Sequence, residues 1–270
     1  MITACLKGGM GNQMFQYSMG LAQAHRLGVP LQLGTDWYDG QSFRRYSLPL
    51  WEGVVQPSIK GVPPSVFEYG EPYDATIDGR VVDGDCISGY WQSEKYFAGI
   101  RQELLSIFRP RLPLTRRGLD LLEAIREEGP RSTFLSVRRT DYIGSRHEVP
   151  LMEFYPEACG MIARRIQDPH VFVFSDDPGW CKENLRLPYR LTVVDEIDMT
   201  TGDHLGREDE DLWMMSRCHN AVLANSSLSW WGAWLSPVPD GSRTVVAPKR
   251  WLADGSLESP DRIPERWTRA

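Results

Sequence analysis

The amino-acid sequence predicts an α/β fold of two compact units, and three observations support this. The chain has 270 residues, which is long for one open sheet and about right for two units of ~130 residues each. Its first residues alternate strand, helix and strand. Its second half alternates short apolar strands with helices, the pattern of a parallel sheet covered on both faces. A turn-rich stretch, EEGP, predicts the boundary between domains 1–129 and 130–270.

The N-terminal half begins with a β-α-β unit. Apolar residues after the first glycine turn recur at helical spacing, and Gly28 followed by Pro30 ends this helix. Proline, glycine and aromatic residues dominate residues 37–89, so irregular structure is expected there. The elements expected in this half are strands at residues 2–6 and 31–33, and helices at residues 12–28, 96–108 and 115–128.

The C-terminal half has a more regular pattern. Strands are expected at residues 133–137, 171–174, 191–194, 221–224 and 244–246. Helices are expected near residues 153–166, 178–185, 208–218 and 228–235. In sheets of this kind, ligands bind outside the carboxyl ends of the strands.

Composition excludes several classes of protein. The net charge of -6 argues against a nucleic-acid or membrane-surface binder, because such partners need a broad basic field. The five cysteines are scattered without a C-x-x-C pair, which suits a reducing compartment better than a disulfide framework. No signal peptide and no membrane-spanning run is recognised, so a cytoplasmic location is expected.

Polar residues follow three of the predicted strands, and the sheet topology brings them to one edge. They are Arg138, Arg139 and Asp141 after the first, Ser175, Asp176 and Asp177 after the second, and Asn225, Ser226, Ser227 and Ser229 after the fourth. Their convergence on one crevice is more informative than any single residue.

The paired arginines predict an anion site. Successive strand residues point to opposite faces of the sheet, so Arg138 and Arg139 are not both expected to have a structural role on the same face. A guanidinium donates bidentately to phosphate and stays charged. The alternative is an ion pair with Asp141 that holds the loop. The serine-rich loop before the helix at residues 228–235 supplies a second anion-binding group. Phosphate binding is therefore favoured over the ion pair.

Several other residues have a structural interpretation beside the functional one. Asp176 or Asp177 precedes Pro178 and is typical of a helix cap. The cluster of Trp230, Trp231 and Trp234 is more typical of a core than of a stacking platform. Asp211 is either a favourable charge in the first turn of a helix or an acceptor for guanine.

Two glycine-rich stretches suggest cofactors only weakly. KGGMGNQ matches two of the three glycines of a dinucleotide fingerprint, but Met14 occupies the third position. Asn12 and Gln13 offer uncharged donors there, suited to a sugar hydroxyl or a phosphate. Asp83 and Asp85 flank a glycine and are more typical of a turn than of a metal site. The five histidines have no metal-ligand spacing.

Five stretches together resemble the signatures of the α-1,2-fucosyltransferases of glycosyltransferase family 11. They are GGMGNQMFQYSMGLAQA, SVRRTDY, FVFSDDPGW, EDLWMMSRCHNAVLANSSLSWWGAWLS and VVAPKRW. The resemblance implies a GT-B fold, with two Rossmann-like domains facing a cleft. It also implies GDP-β-L-fucose as donor, inversion to an α-1,2 linkage on a galactoside, and no metal or other cofactor.

The resemblance also implies roles for individual residues. The N-terminal domain would bind the acceptor and the C-terminal domain GDP-fucose, with Arg138 neutralising the departing β-phosphate. Candidate bases are Asp141, His147 and Glu148. The resemblance implies donor contacts for Asn12, Arg138 and Asp211. Together with the residues at the strand ends and the glycine turn, the expected donor-binding residues are Asn12, Gln13, Arg138, Arg139, Ser175, Asp176, Asp211, Asn225, Ser226, Ser227 and Ser229. Ser136 stands where the family pattern has histidine.

The expected partners are GDP-fucose and a galactose-terminated glycan, with peripheral association to membrane-bound glycan as a further option. Alternatives are another nucleotide-sugar transferase, an NAD-linked oxidoreductase and a non-catalytic sugar-binding module.

Overall fold

The computed structural model describes residues 1–40, 44–62, 66–68, 72–195, 207–255 and 260–270. The chain divides into two compact units. The first comprises Met1–Leu112 and Ser259–Pro264, and the second Pro113–Glu258 and Glu265–Ala270. Each unit contains its own parallel sheet, so the predicted α/β class and the two sheets of the GT-B type are confirmed.

The first unit has a five-stranded sheet with the order β3-β2-β1-β5-β4, in which every pairing is parallel. Helix α1 packs tightly on this sheet at Gly20, where an added Cβ would lie 2.8 Å from the Cβ of Ala4. The elements are β1 (Ile2–Cys5), α1 (Met10–Leu27), β2 (Leu31–Gly34), β3 (Ser58–Ile59), β4 (Val66–Glu68), β5 (Cys86–Ser88) and α2 (Arg101–Ile107).

The second unit has a six-stranded, fully parallel sheet with the order β11-β10-β9-β6-β7-β8. Its elements are α3 (Arg116–Glu128), β6 (Ser132–Val137), α4 (Phe154–Ala163), β7 (His170–Ser175), α5 (Pro178–Asn184), β8 (Arg190–Val194), α6 (Glu208–Arg217), β9 (Asn220–Val222), α7 (Ser227–Trp234), β10 (Val245–Ala247) and β11 (Thr268–Arg269).

The core of the second unit lies on both faces of the central strands. All six residues of β6 are buried, and so are all three of β9, because helices cover the sheet on each side. Trp230, Trp231 and Trp234 are fully buried and pack against one another, so their assignment to the core is confirmed. All five cysteines are free thiols.

Two features differ from the sequence-based expectation. The units divide after Leu112 rather than after residue 129, because α3 packs against α6 and β6 of the second unit. The region expected to be irregular contains three strands of two or three residues each, which are too short to show periodicity. No described helix is long and apolar enough to cross a membrane.

An ionic cluster lies where α3 ends and β7 and β8 begin. His170 is almost completely buried, with Arg190 donating to its Nδ1 at 2.6 Å and Thr192 lying 2.8 Å from its Nε2. Glu128 lies 3.2 Å from the same ring and also pairs with Arg190 and Arg131. Burial lowers the pKa of His170, and the two arginines lower it further against the opposing effect of Glu128.

We expect the free energy of unfolding to decrease as the pH falls below about 6.5. The pKa of His170 is lower in the folded chain than in the unfolded chain, so the unfolded chain binds more protons in this range. Urea unfolding at about pH 7 and about pH 5 measures the effect. The variant His170→Gln should show a weaker pH dependence than the wild type, and an equal dependence would contradict this assignment.

Candidate active site

The strand order of the second unit reverses between β6 and β9. The chain proceeds from β6 to β7 and β8 on one side, and from β9 to β10 and β11 on the other. In open parallel sheets, this reversal opens a crevice outside the carboxyl ends of the two central strands. The loops after Val137 and Val222 border that crevice.

A cavity of about 340 Å³ lies at this edge of the sheet. Its lining comes mainly from the loop between β6 and α4, with contributions from α5 and from the loop after β9. The lining residues are Val137, Arg138, Arg139, Tyr142, Ile143, His147, Glu148, Val149, Pro150, Leu151, Met152, Tyr155, Trp180 and Asn225. Five residues predicted from the sequence are therefore brought together.

Both arginines line this cavity and are also paired with carboxylates. Arg138 donates to Asp141 at 2.6 Å and lies 3.4 Å from Asp176. Arg139 lies 3.4 Å from Asp177. The expectation that the arginines lie on opposite faces was wrong, because β6 ends at Val137 and both follow it in a loop. Both arginines therefore form ion pairs with carboxylates and also line the cavity that the anion-site interpretation requires.

Asp176 holds the arginine loop through its backbone. Its carboxylate accepts hydrogen bonds from the amides of Arg139 at 2.9 Å and Thr140 at 3.2 Å, and from the Thr140 hydroxyl at 2.6 Å. Asp177 caps α5 by accepting from the amide of Trp180 at 3.1 Å, so the predicted capping role is confirmed for this residue. Ser175 accepts from the amide of Asp177.

Asn225 joins three loops. Its Nδ2 donates to the carbonyl oxygens of His147 at 2.9 Å and Trp251 at 2.8 Å. The main-chain carbonyl oxygen of Asn225 accepts a hydrogen bond from the Tyr142 hydroxyl at 3.0 Å. The loop after β6 and the loop after β9 are therefore held together by direct hydrogen bonds.

Three buried polar atoms around the cavity have no hydrogen-bond partner among the described residues. They are Arg138 Nε, His147 Nδ1 and Asn225 Oδ1. An unmade hydrogen bond of this kind costs about 1–3 kcal/mol. Such atoms are rare in folded proteins, although Arg138 Nε still lies 3.4 Å from the carboxylate of Asp176.

The charge states follow from these surroundings. Burial acts to lower the pKa of Arg138, but Asp176, Tyr142 and Asp141 together raise it, so the guanidinium remains charged. Burial lowers the pKa of His147, and Arg146 lowers it further. At neutral pH the cavity is therefore lined by a half-buried, neutral imidazole and a permanently charged guanidinium, and the ring of Tyr142 contacts both.

The serine loop has a more structural role than its sequence suggests. Ser226 caps α7 by accepting from the amide of Leu228 at 3.3 Å. Ser229 is fully buried, and its hydroxyl donates to the carbonyl oxygens of Ala224 and Ser226. Ser227 is half-buried at the start of α7. None of the three serines lines the cavity.

Asp211 lies in the first turn of α6, and although its surface is exposed, the surrounding protein and the neighbouring acids raise the pKa of its carboxyl to about 7. Helix α6 leads into β9, so its N-terminus lies at the same edge of the sheet as the cavity, although Asp211 does not line it. The neighbouring Glu210 accepts from the amide and hydroxyl of Thr115 at 3.1 and 2.7 Å. This contact fixes the first turn of α6 to the start of α3.

Residues 86–269 match the family model described as glycosyl transferase family 11. The chain belongs to glycosyl transferase family 11. It is a glycosyltransferase, as the resemblance of its motifs implied, and not the NAD-linked oxidoreductase that the glycine turn left open.

Known proteins similar to this family 11 chain include two transferases with different sugars in their names. It is 28% identical to an alpha-1,2-colitosyltransferase of Escherichia coli, over 99% of this chain and 98% of that protein. It is 22% identical to galactoside 2-alpha-L-fucosyltransferase Sec1 of Mus musculus, over 87% of this chain and 64% of that protein. The solved alpha-1,6-fucosyltransferase NodZ, soaked with GDP-fucose, is 16% identical with a TM-score of 0.47, covering 87% and 92% of the two chains.

In the first unit of this family 11 protein, Asn12 and Gln13 begin α1. Asn12 Oδ1 accepts from Gln92 at 2.7 Å. Gln13 is fully buried, donates to the carbonyl oxygens of Gly8 and Arg45, and accepts from the amide of Ser47. The side chain of Gln13 therefore holds the neighbouring loop and is not accessible to a ligand in this structure.

The other stretches considered for cofactors have structural contacts. Asp83 pairs with the N-terminal amine and Asp85 accepts from the amide of Val82, so the predicted turn is confirmed. Within the described ranges, no three His, Cys, Asp or Glu side chains are grouped as a metal site would require. His204 lies outside the described residues.

Sequence reasoning missed three aromatic residues that line the cavity. Tyr142 contacts Arg138 and His147. The guanidinium of Arg139 lies over the ring of Trp180, 3.7 Å from the centre of that ring. Tyr155 lines the cavity from α4. Tyr142 and Trp180 belong to the signature stretches SVRRTDY and FVFSDDPGW, and their place in these motifs is the sequence feature that could have identified them.

The variant Gly118→Ala should destabilise the second unit by about 1–3 kcal/mol. An added Cβ would lie 1.6 Å from Oε1 of Glu210, whose hydrogen bonds to Thr115 hold it in place. Urea unfolding measures the change. The matched control is Gly179→Ala, also in the first turn of a helix but with no atom within 4 Å, which should be neutral or slightly stabilising. Equal stability of the two variants would contradict the packing role of Gly118.

Proposed function

We propose that this glycosyltransferase transfers L-fucose from GDP-β-L-fucose to the 2-hydroxyl of a galactose, with inversion to an α-1,2 linkage. The observation that carries the proposal is the cavity at the strand reversal, lined by both arginines of SVRRTDY in a family 11 chain. The name of the similar mouse protein, a galactoside 2-alpha-L-fucosyltransferase, supports the sugar and the linkage.

The chemistry is a single displacement. The acceptor oxygen forms a bond to the anomeric carbon of fucose while the bond from that carbon to the β-phosphate oxygen breaks. Negative charge grows on the departing GDP, so a fixed cation beside that oxygen stabilises the transition state more than the ground state. Arg138 has this role in the proposal, because it is charged, lines the cavity and is held in place by Asp141 and Asp176.

The phosphate must compete with Asp141 for Arg138. Their ion pair is partly exposed, and exposed pairs contribute little net free energy, so a phosphate with two charged oxygens can displace the carboxylate at low cost. Arg139 is held against Trp180 and Asp177 and supplies a second positive charge.

His147 is the favoured general base of the three candidates. Asp141 does not line the cavity, and Glu148 accepts from the amide of Gly144 at 2.7 Å. His147 has a lowered pKa, so its ring is neutral at neutral pH and can take the proton of the acceptor hydroxyl. No metal or other cofactor is needed in this scheme.

The remaining roles follow the family resemblance. We assign Asp211 to guanine, with its carboxylate accepting from the two donors of the base. The second unit would bind the donor and the first unit the acceptor.

Colitose is a second candidate for the transferred sugar. The E. coli relative that matches 99% of this chain is named as an alpha-1,2-colitosyltransferase. Fucose and colitose are both 6-deoxy sugars and differ at C3, where colitose lacks a hydroxyl. Parallel assays with GDP-fucose and GDP-colitose distinguish them.

Incubation with GDP-fucose and lactose should release GDP and yield a product whose linkage NMR identifies as α-1,2. The variant Arg138→Ala should fold normally and lower kcat about 100-fold or more. Arg126→Ala is the control, because Arg126 is exposed in the last turn of α3, at the other edge of the sheet. Transfer only from UDP-sugars would refute the proposal, and an Arg138 variant retaining more than about a tenth of kcat would remove its catalytic role.

The variant Asp211→Ala should weaken GDP binding by about 10-fold or more, because the two donors of the base lose their acceptor. Calorimetric titration with GDP measures this, and UDP serves as the control ligand because it lacks the guanine donor pair. An unchanged GDP affinity would place the base elsewhere.

A further inference from the structure

Tyr142 is the residue that joins three different groups around the cavity. Its ring centre lies 5.3 Å from the guanidinium carbon of Arg138 and 5.2 Å from the centre of the His147 ring. Its hydroxyl donates to the main-chain oxygen of Asn225 at 3.0 Å. One side chain therefore contacts the charged group, the imidazole and the loop after β9.

The Tyr142 hydroxyl is itself occupied by structural contacts. Burial raises the pKa of this phenol, so the hydroxyl keeps its proton at neutral pH. It donates that proton to Asn225, and Ser226 forms a further hydrogen bond with the same side chain. Any role of Tyr142 in the reaction is therefore exerted through its neighbours.

The Tyr142 ring orients the His147 imidazole. A hydrogen bond to one ring nitrogen commonly fixes a catalytic imidazole. Within the described ranges, Nδ1 of His147 is buried and has no hydrogen-bond partner. Asn225 binds the main-chain oxygen of His147, whereas the Tyr142 ring packs against the imidazole itself at an angle of 31°. Packing against Tyr142 thus takes the place of the usual hydrogen bond.

The same ring also holds the Arg138 guanidinium. An aromatic ring attracts a cation within about 6 Å of its centre, and Arg138 lies inside that distance. Asp141 accepts from Nη2 at 2.6 Å, but in the proposed function a phosphate replaces this carboxylate. The contacts of Arg138 with Tyr142 and Asp176 are then the ones that remain.

We propose that Tyr142 is a positioning residue that holds Arg138 against the departing phosphate and His147 against the acceptor hydroxyl. The inference rests on the proposed function, because it takes these two residues to act on GDP and on the acceptor. When the proton of the hydroxyl moves to His147, the imidazole becomes a cation beside an aromatic ring. The contact with Tyr142 is therefore stronger in the transition state than in the ground state.

Two variants separate the ring of Tyr142 from its hydroxyl. Tyr142→Leu removes both and should weaken GDP binding about 10-fold, because the guanidinium loses its aromatic contact. Tyr142→Phe keeps the ring and should stay within about 3-fold of the wild type. Calorimetric titration with GDP measures both effects without any transfer reaction.

Double variants show whether Tyr142 acts through its neighbours. In an Arg138→Ala background, Tyr142→Leu should change GDP affinity by less than about 2-fold. At saturating substrates, Tyr142→Leu should lower kcat about 30-fold in the wild type. In a His147→Gln background it should lower kcat only about 5-fold, because only the contact with Arg138 is left to lose.

Tyr189 supplies the matched control. It is a half-buried tyrosine that immediately precedes β8, at the opposite edge of the same sheet, and it packs against the core of the second unit. Tyr189→Leu removes the same atoms far from the cavity and should leave GDP affinity and kcat unchanged. Urea unfolding of both leucine variants shows whether they lose stability to a similar degree.

Unchanged GDP affinity in Tyr142→Leu would overturn the inference. Losses of the same size in the wild type and in both double variants would also overturn it, because independent losses indicate a purely structural role. If Tyr142→Phe is as impaired as Tyr142→Leu, the hydroxyl and not the ring is responsible, and the inference is wrong. A wild-type chain that binds no GDP would instead refute the proposed function itself.

Discussion

The strand reversal between β6 and β9 is the constraint on which the site depends. The two strands are neighbours in the sheet, yet the chain leaves them toward opposite edges. No short connection spans the space between the two loops, so side chains from both border it. Two hydrogen bonds then keep the loops together. The Tyr142 hydroxyl donates to the main-chain carbonyl oxygen of Asn225, and the side-chain amide of Asn225 donates to the carbonyl oxygen of His147.

The arginine loop shows how a local excess of positive charge is held in a chain of net charge -6. Each guanidinium has a carboxylate partner, and Asp176 binds the backbone of the loop as well. The acids keep the arginines in place, and the partly exposed pairs remain exchangeable because solvent weakens them. In the proposed function, a phosphate then replaces a carboxylate at a guanidinium whose position is already fixed.

Buried carboxylates support the neighbouring part of the sheet edge. Glu210 accepts from the amide and hydroxyl of Thr115, the N-cap of α3, where the helix N-terminus favours negative charge. Arg207 lies within 3.2 Å of Asp209 and 3.1 Å of Glu210. The first turn of α6, which carries Asp211, is thus anchored in the second unit by charge as well as by packing.

The sequence by itself determined the regular part of the fold and the family. Strands of four to six residues and helices of seven or more in the second half lie within a few residues of their predicted positions, because apolar periodicity is a local property. Three residues of the motifs, Arg138, Arg139 and Asn225, share one cavity with His147 and Glu148, which were chosen because they follow the arginines closely. Only the tertiary structure decided the short strands β3, β4, β5 and β11, the assignment of α3 to the second unit, and which polar groups bind the protein's own backbone. Gln13 and Asp176 have the residue types of a binding site, yet Gln13 binds backbone groups and Asp176 binds the backbone and side chains of the arginine loop, and folding brings these partners to them. A hydrogen bond depends on where its partner lies in space, and local sequence does not contain that position.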